Sequence, residues 1–222
     1  MNKENASYDR RVITLALAIL KRAKSAGIPE RYLRIDKDTF SSYLSPLHYD
    51  AKHKSELCDF IYDRANDFSS IPNVLIDGGN ILSRKMAGFA LLFRTIACDK
   101  VGLYKECVDL QHKFQTIKST EDQNRNDLAE ELKYYDVLFL AEFHPSYFAV
   151  HFDSGSFFDE ILSYRFDNNK QTIISFQDPI GAGTIKDRVC GRYLAEFSNK
   201  EFDKNVSYSK DLNSMIVKVK VL

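Results

Sequence analysis

The residues best placed to do chemistry lie in one stretch, Ile76-Asp77-Gly78-Gly79-Asn80-Ile81-Leu82-Ser83-Arg84-Lys85. A short apolar run leads into it and a helical pattern follows. Strand, glycine turn and helix together form the frame of a phosphate-binding loop. In such a loop backbone N–H groups converge on the phosphates, a lysine meets the outer ones, and a Ser or Thr hydroxyl holds Mg²⁺. Counted from Gly78, the pattern G-x-x-x-x-G-K-[ST] lands on Ser83, Arg84 and Lys85, so its second glycine, lysine and hydroxyl are all replaced. Counted from Gly79 it lands on Arg84, Lys85 and Met86, which keeps the lysine and still loses the hydroxyl. Gly78, Gly79, Asn80, Ser83, Arg84 and Lys85 are the candidate nucleotide contacts, in a loop without its magnesium ligand.

A second strand bears on the same site. Phosphate-loop enzymes end their second catalytic strand with a metal-holding acid, often followed by a Glu that activates water. Residues 136–143 read Asp-Val-Leu-Phe-Leu-Ala-Glu-Phe, so Ala141 stands where the metal ligand belongs. Glu142 is the residual catalytic candidate. Two losses at one ion site argue against fast hydrolysis. His144 and His151, with Glu142 and Asp153, have no spacing that fits a metal site. Cys58, Cys98, Cys107 and Cys190 are scattered, as buried thiols in a reducing compartment are.

These residues need a scaffold. With 222 residues, 44% of them hydrophobic, the chain can bury a sizeable core. Its 31 basic and 31 acidic residues cancel, so any nucleic-acid contact must come from a local patch. Arg10-Arg11 precede an apolar run, 12–20, and Lys21, Arg22 and Lys24 follow it. The run is shorter than the roughly 20 residues of a membrane span, and no cleavage site follows it. It predicts an amphipathic helix over 8–25 that stops at Ala26-Gly27 before Pro29, in a cytoplasmic protein that meets no membrane.

Beyond a lead-in segment and a charged helix at 50–68, apolar runs at 74–76, 101–104, 136–143 and 171–176 alternate with helical patterns at 107–117, 128–135, 155–168 and 186–197. Residues 118–126 read as a polar loop, and 215–222 alternate as an edge strand does. The pattern predicts a three-layer α/β/α core around a parallel sheet, preceded by a short N-terminal helical segment. Residues 1–25 form that segment and 26–222 the core, with 26–72 leading into the sheet-and-helix part at 73–222.

The order of segments is similar to that of the DnaC/DnaI-type helicase loaders and the related IstB-like ATPases, of the AAA+ class. Ser25-Ala26-Gly27-Ile28-Pro29-Glu30-Arg31-Tyr32 resembles the family's approach to its ATPase core, and Asn73-Val74-Leu75-Ile76-Asp77-Gly78 resembles its strand into the phosphate loop. Residues 136–143 resemble the second catalytic strand. Tyr164-Arg165 followed by Gln171-Thr172-Ile173-Ile174-Ser175 resembles a later family segment, and residues 185–192 resemble its arginine-bearing helix. The match runs from about Ala26 to the C-terminus.

The resemblance implies an AAA+ fold that docks on a replicative helicase or another replication protein and touches single-stranded DNA. Departures at Ser83, Arg84, Lys85 and Ala141 point to a pseudo-ATPase scaffold. Such a scaffold needs no cofactor; ATP or ADP would bind weakly at most. A working loader with an atypical loop, or an IstB-like transposition or plasmid-replication accessory, are the alternatives. The family's helicase-binding domain would be reduced to one helix. The resemblance also marks Arg165, Arg188 and Arg192 as arginine-finger candidates in a homo-oligomer, and Gln177 or Phe176 as the sensor position. Lys113, Lys118 and Arg125, with Arg10, Arg11, Lys21 and Arg22, are the DNA- or partner-contact candidates. A solvated surface is the competing reading for each.

Overall fold

The helix at the N-terminus ends where its sequence says it must. In the computed structural model, α1 spans Lys3–Ser25. Gly27 follows with φ +86°. Its N–H donates to Lys24 O at 3.0 Å and that of Ile28 to Ala23 O at 3.1 Å. This is a Schellman cap, in which a glycine takes the left-handed conformation and the next apolar residue folds back on the helix. Ala23, Ala26 and Ile28 are buried together, and Tyr104 N–H donates to Ala26 O at 2.8 Å, tying the cap to the sheet. The structure describes residues 3–33, 37–38, 73–77, 81–117, 122–143, 152–176, 206–209 and 214–218.

Six strands form one sheet: β1 (Asn73–Asp77), β2 (Gly102–Glu106), β3 (Val137–Phe143), β4 (Gln171–Phe176), β5 (Val206–Ser209) and β6 (Ser214–Lys218). Their spatial order is β2-β3-β4-β1-β6-β5, with every pairing parallel except β5 against β6. The helices are α2 (Ile81–Ala97), α3 (Cys107–Thr116), α4 (Asp122–Tyr134) and α5 (Phe152–Asp167). Parallel strands need crossovers, and these helices cover both faces. One core cluster joins Val74, Ile76, Val137, Phe139 and Ile173 to α1 and α2. The other joins Leu138, Leu140, Ile174 and Phe176 to α3, α4 and α5. The alternation along β3 and β4 is that of strands buried on both sides.

Helix α2 lies close on the sheet because Gly88 lets it. A Cβ there would stand 1.9 Å from Phe139 Cζ. The Phe139 ring is itself packed at 5.4 Å from Phe89 and 5.5 Å from Tyr104, measured between ring centroids.

Three expectations need correction or qualification. Residues 122–126, expected in a loop, begin α4. Gln123 donates to Asp127 one turn on at 2.8 Å, and Leu128, Ala129 and Leu132 supply the buried face. The strand near 215 is not at the edge, because β5 pairs with it antiparallel. The alternating pattern of β6 cannot reveal a neighbour that is only four residues long. The helices expected at 50–68 and 186–197 lie outside the described residues.

Candidate functional site

Ligand sites in open parallel sheets form at the carboxyl ends of the strands. Here those ends bring together Glu106 from β2, Glu142 from β3 and Ser175 from β4, facing the first turns of α2. The turn at Gly78, Gly79 and Asn80 lies outside the described residues. The helix that follows begins at Ile81 and places Ser83 and Arg84 inward.

Arg84 and Glu142 form a buried bidentate pair. Arg84 Nε donates to Glu142 Oε1 at 2.9 Å and a terminal nitrogen, Nη2, donates to Oε2 at 2.5 Å. Arg84 is 6% exposed and Glu142 7%. The planar guanidinium matches a carboxylate fork to fork, which a lysine cannot do. Ser175 completes the carboxylate's environment. Its hydroxyl accepts from Glu142 N–H at 2.9 Å and donates to Oε1 at 3.2 Å.

A backbone irregularity aims Glu142 at α2. The pairing of β3 with β4 shifts register between Leu140 and Phe143, and Glu142 takes φ +56°. Strand side chains alternate, so without the shift Glu142 would share the face of Leu138 and Leu140, away from α2. The extra residue reverses the parity. Phe143 packs with the α3–α5 cluster, where unbroken alternation would set it beside Val137 and Phe139. Glu142 turns to the α2 side and meets Arg84. Bulges that re-aim a side chain, and left-handed residues other than glycine, gather at functional sites.

Lys85 makes a second pair, with Glu106, which also accepts from the Tyr104 hydroxyl. Glu106 lies in register with Ala141, so this pair sits beside the first across β2 and β3. Burial, and then the neighbouring Glu106, push the Tyr104 phenol well above its ordinary range. Sequence reasoning missed Glu106, Tyr104 and Ser175. One signal was present: two parallel strands that each carry an acid at or next to their carboxyl end, Glu106 and Glu142.

Arg165 is not a finger. It is fully buried and donates to Thr172 Oγ1 at 2.9 Å, to Leu132 O and Tyr135 O at 2.8 Å each, and to Gln171 O at 2.5 Å. It clasps the amino ends of β3 and β4, at the opposite end of the strands from Glu142, and cannot reach a neighbouring subunit. Phe176 is buried with the α3–α5 cluster, and Ser175 is the polar group beside Glu142. Gln177, Arg188, Arg192 and Lys118 lie outside the described residues. Among the contact candidates, Arg22 pairs with Asp99 at 2.8 Å and Lys113 with Glu131 at 3.6 Å, while Arg125 stands over the Phe114 ring at 5.3 Å. Lys21 is exposed; Arg10 and Arg11 lie within α1. Among the described residues no group of three or more His, Cys, Asp or Glu could hold a metal, and no helix is long and apolar enough to cross a membrane.

No family model matches the chain, and no curated protein matches its sequence. Solved structures do match its fold. The DnaC helicase loader is similar at TM-score 0.53 and 13% identity, over 78% of this chain and 97% of that one. DnaI is similar at 0.50 and 18%, over 68% and 77%. DnaA from Aquifex aeolicus, bound to AMPPCP, is similar at 0.55 and 13%, over 78% and 47%. The chain spans about half the length of that DnaA and of a DNA replication initiation factor that it also matches. The chain shares the fold of these proteins. In the phosphate-loop frame expected from the sequence, the first turns of α2 and the end of β3 would hold a Mg²⁺–triphosphate, and the described residues do not fit one. Ala141 and Met86 are buried apolar groups where oxygens would be needed, and the guanidinium of Arg84 is held by Glu142.

Proposed function

We propose that this chain is a DNA-replication accessory protein: a scaffold that binds a replicative helicase or another replication partner with little or no ATP hydrolysis. The buried Arg84–Glu142 pair carries the reading. The cation that would meet a phosphate and the carboxylate that would activate water are spent on each other, with Ser175 filling a remaining hydrogen-bond position. Attack on a phosphate would require both to part inside a low-dielectric site, where an uncompensated charge costs several kcal/mol. The frame around them keeps the shape of proteins described as a helicase loader and as a replication initiator. Binding to single-stranded DNA and assembly into a homo-oligomer belong to the same proposal.

Two measurements test it. Tagged chain should recover the replicative helicase of its own replication system in stoichiometric amount without added nucleotide. Phosphate release with Mg²⁺-ATP should stay at the blank and be unchanged in Glu142→Gln. Brisk, magnesium-dependent turnover that disappears in Glu142→Gln would refute the scaffold reading.

A further inference from the structure

Two cations stand next to each other in the first turns of α2, and two adjacent strands carry an acid at or next to their carboxyl ends. Arg84 holds Glu142, and Lys85 holds Glu106. The four charges cancel, so these groups offer an outside polyanion no net attraction. The two pairs are built differently. Lys85 and Glu106 keep 21% and 19% of their side chains exposed, and an ammonium is a compact charge that water serves well. Arg84 and Glu142 keep 7% and 9%, and two bonds from the guanidinium fork join them.

Glu142 sits in its surroundings as a bound ligand does. Its oxygens receive Arg84 Nε at 2.9 Å and Nη2 at 2.5 Å, and the Ser175 hydroxyl donates to Oε1 at 3.2 Å. Three donors on two buried side chains are the equipment of a small-carboxylate site. The backbone is distorted to deliver the carboxylate there. The ladder with β4 shifts between Leu140 and Phe143, and Glu142 takes φ +56°, unfavourable for any residue with a Cβ. Such strain persists only where the surrounding contacts hold it, and the contacts that hold this residue are those of its carboxylate.

We infer that the Glu142 carboxylate is a tethered ligand: it fills a small-oxyanion site formed by Arg84 and Ser175, and so fastens α2 to the ends of β3 and β4 without an external anion. The consequence, a chain whose state needs no nucleotide, rests on the scaffold reading. The test is one of stability alone.

Cutting the tether leaves the site. Glu142→Ala removes Cγ, Cδ and both carboxylate oxygens, the heavy atoms that acetate supplies; Glu142→Gly also removes Cβ, which propionate supplies. Each chain is refolded from urea with acetate, propionate, acetamide or inorganic phosphate present throughout, so that the probe enters during folding. Ionic strength is held constant with sodium chloride, and circular dichroism follows the transition. Acetate raises the midpoint of Glu142→Ala by about 0.5 M for each tenfold rise in its concentration. Acetamide, alike in shape but uncharged, leaves it unmoved. Glu142→Gly responds more strongly to propionate than to acetate. Adding Ser175→Ala to Glu142→Ala weakens the acetate response about tenfold in concentration. Glu106→Ala, the same truncation beside a lysine, gains nothing, and the parent ignores all four probes because its site is full.

An acetate response as large in the parent, in Glu106→Ala or in Arg84→Met with Glu142→Ala overturns the inference. So does the lack of any response in both Glu142→Ala and Glu142→Gly. A saturable phosphate response in the parent also overturns it, since the pair then opens for an outside anion. If Glu142→Ala does not fold in buffer, acetate restores its native spectrum; a chain that stays unfolded in acetate while Arg84→Met with Glu142→Ala folds overturns the inference. Acetate rescue alongside magnesium-dependent ATP turnover in the parent leaves the tethered ligand standing and sinks the scaffold reading. A parent without turnover whose truncated variants ignore acetate and propionate does the reverse.

Discussion

Removing either partner of the Arg84–Glu142 pair should cost far more than removing both. With both residues less than a tenth exposed, Glu142→Ala leaves a buried guanidinium without its carboxylate and Arg84→Ala leaves a buried carboxylate without its guanidinium. Breaking a buried pair in this way costs about 3–5 kcal/mol. For a chain of 222 residues that is a fall in melting temperature of roughly 6–20 °C, taking about 2–4 °C per kcal/mol. In urea it is a midpoint shift of about 1–1.7 M at a slope near 3 kcal/mol/M. The double variant Arg84→Met, Glu142→Leu keeps the volume and leaves no orphaned charge, so it should return to within about 1 kcal/mol of the parent or exceed it. With Arg84→Met and Glu142→Leu as the single variants at about 3 kcal/mol or more each, the cycle would then show a coupling of about 5 kcal/mol or more, above the usual range for contacting residues. Glu142 adds a check of its own. Its φ of +56° is unfavourable for a side chain with a Cβ, so Glu142→Gly should be less damaging than Glu142→Ala by about 1 kcal/mol. The assay is urea unfolding followed by circular dichroism, with the slope monitored for constancy. Single variants that cost under about 1 kcal/mol, or singles whose costs simply add in the double, would refute the charge-balance reasoning.

Arg165→Lys should destabilise by about 3 kcal/mol or more, nearly as much as Arg165→Ala, because an ammonium cannot satisfy the carbonyls of Leu132, Tyr135 and Gln171 that the fork now serves; a parent-like melting temperature in Arg165→Ala would restore the finger reading. Gly88→Ala should cost about 1–3 kcal/mol by driving a methyl into the Phe139 ring, and Phe139→Leu in the same chain should recover part of the loss in urea titration. Tyr104 makes stability fall at alkaline pH: its folded-state value lies above the unfolded one, near 10, so its contribution is full below about pH 10 and is lost as pH rises beyond it, when the unfolded phenol ionises first. Tyr104→Phe should flatten the dependence of the urea midpoint on pH between about 9.5 and 11.5, and an unchanged slope there would count against the assignment.

The frame of this protein is legible in its sequence wherever one physical demand dominates. A strand buried on both faces must be apolar throughout, so Val137–Phe143 and Gln171–Phe176 stand out. Gly27 marks the end of α1 because few other residues accept its φ. Failures come where two demands compete. At Glu142 the bulge overrides the period-two rule, and no residue type in Leu140–Phe143 signals it: an Ala-Glu step carries neither the glycine nor the asparagine that usually marks a left-handed turn. Arg165 resembles a surface or interface cation because arginine is seldom fully buried, and only the fold reveals the ring of carbonyls that receives it. Glu106 escapes notice because the apolar pattern of its strand ends at Tyr104. Residues 122–126 resemble a loop because asparagine and aspartate prefer caps and turns, a preference that the buried face of α4 outweighs.

Glu142 also bears on how a carboxylate at the catalytic position of a phosphate-loop frame should be interpreted. In such a frame the glutamate after the metal ligand acts on water, so an acid at this position suggests activity. The geometry here gives it a different role. With an arginine at the inward position of α2, the interior needs a negative charge, and Glu142 meets it with both oxygens. Losing the carboxylate would leave a buried cation, a defect of folding before it is one of catalysis. A role in hydrolysis and a role in charge balance then differ in one observable. A catalytic glutamate tolerates Gln with its stability intact and its turnover gone. A balancing one loses stability with Gln, whatever the turnover, because an amide keeps the shape and one acceptor but not the charge that the guanidinium requires. Glu142→Gln in the parent chain should therefore lower the urea midpoint, and in a background carrying Arg84→Met it should not.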